Sequence, residues 1–141
     1  MKNTCVVVCL LLLSSLVLAA PNAQGVPALP RTLSNARYVY VASYDGDQFD
    51  PFLLPDDRAA IAAVQDAIQK WGKLVVVYRP HEADIILMVQ SRPSEDVLAV
   101  YDARGWPSDN YLWRMMGRSG LQEGETPLVT NFEQAFQKPA K

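Results

Sequence analysis

The 141-residue chain predicts an α/β (α+β) two-layer sandwich, a mixed five-stranded sheet with two helices on one face, in the order β-α-β-β-β-β-α. Three observations predict it. Residues 36–78 read as strand, amphipathic helix and strand, the pattern of a crossover between parallel strands. Residues 85–91 are an almost unbroken apolar run, as in a strand buried on both faces. Residues 97–116 hold two more β-rich runs around a turn, and a second apolar-striped helix follows.

Ahead of the domain, Lys2 and the run CVVVCLLLLSSLVLAA (Cys5 to Ala20) read as a secretory signal peptide over residues 1–20. The run is too short, and too rich in serine and small residues at its end, for a good spanning helix. Small residues place cleavage after Ala19, or second after Gly25. Either cut removes Cys5 and Cys9, so the exported protein is expected to carry no thiol and no disulfide. Neither cysteine sits at the end of the apolar run, where a lipid-anchored protein would carry its acylated residue. The expected location is periplasmic or secreted, with no membrane span after cleavage.

Residues 21–35 contain Pro21, Pro27 and Pro30 with little apolar periodicity and read as an extended linker. The domain is expected over residues 36–137, with a tail at 138–141. Its first strand, ARYVYVAS, alternates Tyr38, Tyr40 and Ala42 against Val39 and Val41, and apolar character on both faces makes it an interior strand. A helix then begins near Asp56 or Asp57, either of which suits the N-cap. Ile61, Val64, Ile68 and Trp71 form its buried stripe, and Gly72 supplies a left-handed ending.

LVVVY (74–78) is the second strand, parallel to the first. The five residues from Pro80 to Asp84 leave the third strand, IILMVQS (85–91), either antiparallel or reached through one short helical turn. VLAVYD (97–102) and NYLWRMM (110–116) form an antiparallel hairpin. Thr126-Pro127 opens the second helix as cap and first-turn proline, and Leu128, Val129, Phe132, Ala135 and Phe136 face the core, with Lys138 and Lys141 at its negative end.

With the elements placed, WG (71–72), ADIIL (83–87), LAVYD (98–102), LWR (112–114), GL (120–121) and PLVTNF (127–132) resemble a family of small exported bacterial proteins of unknown function. The resemblance covers most of residues 36–136, and its motifs are mainly fold-determining. More distantly, the pattern is similar to periplasmic α/β domains of the curli-secretion lipoprotein and of the amino terminus of the Tol/Pal propeller protein. That similarity implies envelope assembly work without catalysis. It brings no catalytic residue to carry over.

Composition narrows the function classes. A net charge of −2, with the arginines scattered singly, argues against a nucleic-acid surface. Asp45, Asp47, Asp50, Asp56 and Asp57 crowd one loop, but their spacing misses the calcium-loop pattern. His81 is the sole histidine, too few for a typical zinc site, and no nucleophile signature is present. Tyr101, Trp106, Tyr111 and Trp113 crowd the hairpin, and an exposed aromatic row there would mark a contact surface. The leading expectation is therefore a non-catalytic exported module, without cofactor, that binds an envelope or secreted protein by these aromatics or by strand addition. The alternative is a small-ligand or metal binder, or a small hydrolase, using Asp45, Asp47 and Asp50 with His81.

Overall fold

A computed structural model describes residues 25–107, 110–122 and 124–138. The expected signal peptide, its cleavage after Ala19 and both cysteines lie outside the described residues, as does Lys141. Gly25, the other cleavage position, is the first residue described.

β1 (Tyr38–Ser43) sits inside the sheet, with β2 (Val75–Val77) and β3 (Ile85–Ser91) on either side and parallel to it. β4 (Asp96–Asp102) runs antiparallel to β3, and β5 (Trp113–Gly117) antiparallel to β4, giving the order β2-β1-β3-β4-β5. Helix α1 (Pro55–Trp71) covers β1 to β3, and α2 (Pro127–Gln137) packs on β4, β5 and α1. The predicted two-layer α+β architecture and element order are those observed.

The direction left open for β3 is parallel, reached through one 3-10 turn at Pro80–Glu82. Such a short connection suffices because β2 has only three residues, so the chain leaves the sheet early and re-enters on the far side of β1. Asp84 fastens the return. Its Oδ2 accepts hydrogen bonds from the N–H of Arg37 at 2.8 Å and of Tyr38 at 3.0 Å. These two donors hold its carboxyl below the usual carboxylate range.

Alternation in β1, β3 and β4 sends Val39, Val41, Ile85, Leu87, Val89, Leu98 and Val100 toward the helices. There they meet Ile61, Val64 and Ile68 of α1 and Val129, Phe132 and Ala135 of α2. Trp71, Trp113, Phe132 and Phe136 close the far end with edge-on or tilted ring contacts at 5.4 to 6.1 Å between centroids. Complete burial of a side chain such as Phe132 stabilises the fold by about 2–3 kcal/mol. Gly72, at φ 73°, ends α1 in the left-handed region, as its place after Trp71 predicts.

Four expectations are corrected. Residues 26–35 are more than a tether: Leu29 and Leu33 are buried in the helix-side core, and the carbonyl of Pro27 accepts the indole N–H of Trp113 at 2.8 Å. Helix α1 begins at Pro55 with Leu54 at the N-cap and no side-chain cap, since Asp56 and Asp57 fall inside its first turn and Asp57 turns inward to Ser91. Thr126 occupies the N-cap of α2 but its hydroxyl caps nothing; Pro127 alone starts that helix. β5 starts at Trp113, three residues later than the sequence suggests.

Candidate functional site

The sheet face without helices carries Tyr40, Ala42, Ile86, Met88, Ala99 and Tyr101, closed over by Val77, Ala83, Ala103 and Trp106. It is apolar like the opposite face, yet its cover consists of aromatic side chains and loops. Tyr44 reaches over it to place its hydroxyl 3.1 Å from that of Tyr101. Burial and this hydrogen bond push the Tyr44 phenol well above its ordinary pKa. The Arg114 guanidinium lies 5.7 Å from the centre of the Tyr111 ring.

The chain between β1 and α1 borders this face. It contains two successive Asx turns, in which Asp47 Oδ1 accepts the N–H of Phe49 and Asp50 Oδ1 that of Phe52, both at 2.8 Å. Gly46, at φ 145°, admits the second: a Cβ there would lie 2.6 Å from Asp50 Oδ2. Arg58, in the first turn of α1, donates to the carbonyls of Gln48 and Asp50 and so clamps the loop to the helix. Held this way, Phe52 is 92% exposed and Phe49 68% exposed. These four contacts fix the backbone that carries the two phenylalanines, whose exposed rings contribute nothing to the core.

Between the loop and the sheet lies a groove of about 380 Å³, lined by Tyr40, Tyr44, Met88 and Trp106 with the carboxylates of Asp47 and Asp50. Asp47 Oδ2 also accepts the Tyr40 hydroxyl at 3.2 Å. Burial first, and the Asp47 charge second, push the Tyr40 pKa up to about 12.

Of the hairpin aromatics predicted to bind a partner, the structure brings Tyr101 and Trp106 to this face and leaves Tyr111 half exposed beside Arg114. Trp113 is corrected. It pairs with Val100, so strand parity points it at the helices, where it is buried against Phe132. Tyr111 precedes the strand, which begins at Trp113.

The predicted acidic site does not assemble. Asp45 pairs with Arg92, Asp47 and Asp50 form the Asx turns, and His81 lies in the turn before β3, at the opposite end of β1. Among the described residues no group of three or more His, Cys, Asp or Glu side chains is placed to hold a metal ion. Asp57, fully buried, accepts from the N–H of Ser91 at 2.7 Å and from Arg92 at 2.9 Å, leaving Oδ2 without a hydrogen bond among the described residues. Asp96 takes the Ser91 hydroxyl at 2.7 Å and the Leu121 N–H at 3.0 Å. These groups tie α1 and the loop after β5 to the sheet, and serve architecture.

Sequence reasoning missed Phe49, Phe52 and Tyr44. The available signal was the repeated spacing in Asp47-Gln48-Phe49 and Asp50-Pro51-Phe52, which sets an Asx acceptor two residues before each phenylalanine.

The motifs behind the sequence resemblance fall on architecture: Trp71 and Trp113 in the aromatic cluster, Asp84 at the β1 start, Gly120 beneath Leu128. No protein-family model and no curated protein matches the chain. Among solved structures it is similar to a PelC dodecamer from Paraburkholderia phytofirmans, at 16% identity and a TM-score of 0.45, over 78% of this chain and 93% of that one. A likeness of that size carries no argument about activity or assembly. Among the described residues no helix is long and apolar enough to cross a membrane.

Proposed function

We propose that this chain is a non-catalytic binding domain of an exported protein, and that it docks a partner protein of the envelope or secreted space on the helix-free side of its sheet. The observation that carries the reading is the pair Phe49 and Phe52, held outward by Asx turns and by Arg58. Exposed aromatics of this kind are the residues on which interface energy concentrates. The fixed backbone that carries them lowers the entropy lost on docking relative to a loop without such contacts. Trp106, partly exposed over the helix-free face, and Tyr111, half exposed beside Arg114, add further aromatic surface, whereas Tyr101 is buried beneath Tyr44. Asp45 is paired with Arg92 and His81 lies at the opposite end of β1 from the loop, which favours this reading over a metal binder or a hydrolase built on these residues.

A photo-crosslinking phenylalanine analogue at position 52 of the chain expressed in cells tests the proposal, with the same analogue at Lys70 on the exposed side of α1 as control. One discrete crosslinked protein from position 52 and none from position 70 is the expected result. Equal products from both positions, or none from position 52, contradict it.

A further inference from the structure

We infer that the groove between Tyr40, Tyr44 and Trp106 is a receptor for an arginine side chain of the docked partner, with the Asp47 and Asp50 carboxylates as its counter-charges. The inference rests on the proposed docking face and names the chemistry that the face recognises.

Three properties converge on a cation of this shape. The walls are aromatic: Tyr40, Tyr44 and Trp106 line the groove together with Met88. Ring faces attract a weakly hydrated, planar guanidinium, by up to about 2 kcal/mol once water is excluded. The rim is acidic: neither Asp47 nor Asp50 forms a salt bridge among the described residues, Arg58 reaching only the Asp50 carbonyl, whereas Asp45 and Asp57 both pair with Arg92. Asp50 Oδ2 accepts no hydrogen bond among the described residues, and the Asp47 oxygens each keep a lone pair beyond the Tyr40 and Phe49 contacts.

The third property is fixed placement. The Asx turns, the Tyr40 hydroxyl and the Arg58 clamp hold both carboxylates in position before any ligand arrives. Two preset acceptors beside flat rings match a guanidinium fork better than a compact ammonium. The groove's volume of about 380 Å³ exceeds that of one side chain, which leaves room for the backbone that carries it. Phe49 and Phe52 then pack against the apolar residues flanking that arginine. Tyr40 and Tyr44 stay protonated at neutral pH, so among the residues lining the groove only Asp47 and Asp50 are charged, with Arg114 beyond Tyr44 as the nearby opposing charge.

The test follows the indole N–H resonance of Trp106, identified by its loss in Trp106→Phe, in the full chain as recovered from cells. The probes are acetyl-Gly-Arg-Gly amide and its citrulline counterpart, which has the same shape without charge. The arginine peptide should shift the resonance saturably and bind about tenfold or more tightly than the citrulline peptide. The double variant D47N/D50N, whose amide oxygens preserve both Asx turns, should bind the arginine peptide no better than the citrulline one, with an unchanged melting temperature. Equal affinity for both peptides, wild-type affinity in D47N/D50N, or no shift at about 10 mM peptide overturns the assignment. The crosslinking at position 52 separates the two readings. Capture that survives in D47N/D50N leaves the docking face standing and removes the arginine receptor. Saturable arginine binding without any capture retains the receptor and removes the partner-docking reading.

Discussion

On β1, Val41 points into the helices and Tyr40 points away from them, and their surroundings differ in kind. Behind Val41 lie aliphatic residues from three strands and two helices, closed by a cluster of four aromatic rings. Around Tyr40 the cover is a tryptophan, tyrosines and an acidic loop, and every one of those aromatic side chains has a polar end or a solvent edge. The same period-two pattern built both faces. The difference lies in which face the two helices cover, and it leaves one face sealed by helices and the other closed only by loops and polar-ended aromatic side chains.

The largest expected effect tests the protected face. Phe132→Ala should cost about 3–5 kcal/mol of unfolding free energy in urea, because it removes the ring that contacts Trp71, Trp113 and Phe136 together. A cost below about 1 kcal/mol would place the core elsewhere.

Next comes the join between α1 and β3. Asp57→Ala should cost about 2–3 kcal/mol, since it orphans the Ser91 N–H and removes the buried partner of Arg92. Asp45→Ala, which removes the half-exposed partner of the same arginine, should cost under about 1 kcal/mol. Similar costs for the two would mean that the buried pair has no privileged role.

A smaller effect belongs to the helix-free face and appears only in alkali. With its folded pKa raised to about 12 from an ordinary value of 10, the Tyr40 contribution is complete below pH 10 and is lost as pH climbs toward 12. Tyr40→Phe should therefore flatten the alkaline decline in stability measured by denaturant titration, leaving the share that comes from Tyr44. An unchanged alkaline slope would show that the Tyr40 phenol is not held by its surroundings.

The protected face was legible in the sequence because burial imposes a period. The α1 stripe, the apolar run of β3 and the Leu128 to Phe136 spacing all report packing directly, and the structure places each where periodicity puts it. Leu29 and Leu33 escaped notice because two apolar residues among prolines make no period, although both are buried. Asp57 looked like a cap because its partners, Ser91 and Arg92, lie more than thirty residues away in sequence. Trp113 lies on the protected face because its pairing with Val100 fixes its side, a cross-strand register that the local pattern of β5 does not report. The helix-free face was legible only in part. Trp106 is among the hairpin aromatics that the sequence points to, whereas Phe49 and Phe52 are hidden within a stretch whose carboxylates suggest a different chemistry.

The most direct test of the division between faces is the double variant F49S/F52S, assayed for unfolding free energy and for crosslinked partner through an analogue placed at Tyr111. Stability within about 0.5 kcal/mol of the parent, with the crosslinked product lost, is the result expected of residues held out for contact. A drop of about 2 kcal/mol or more, or a product that persists undiminished, would contradict the account.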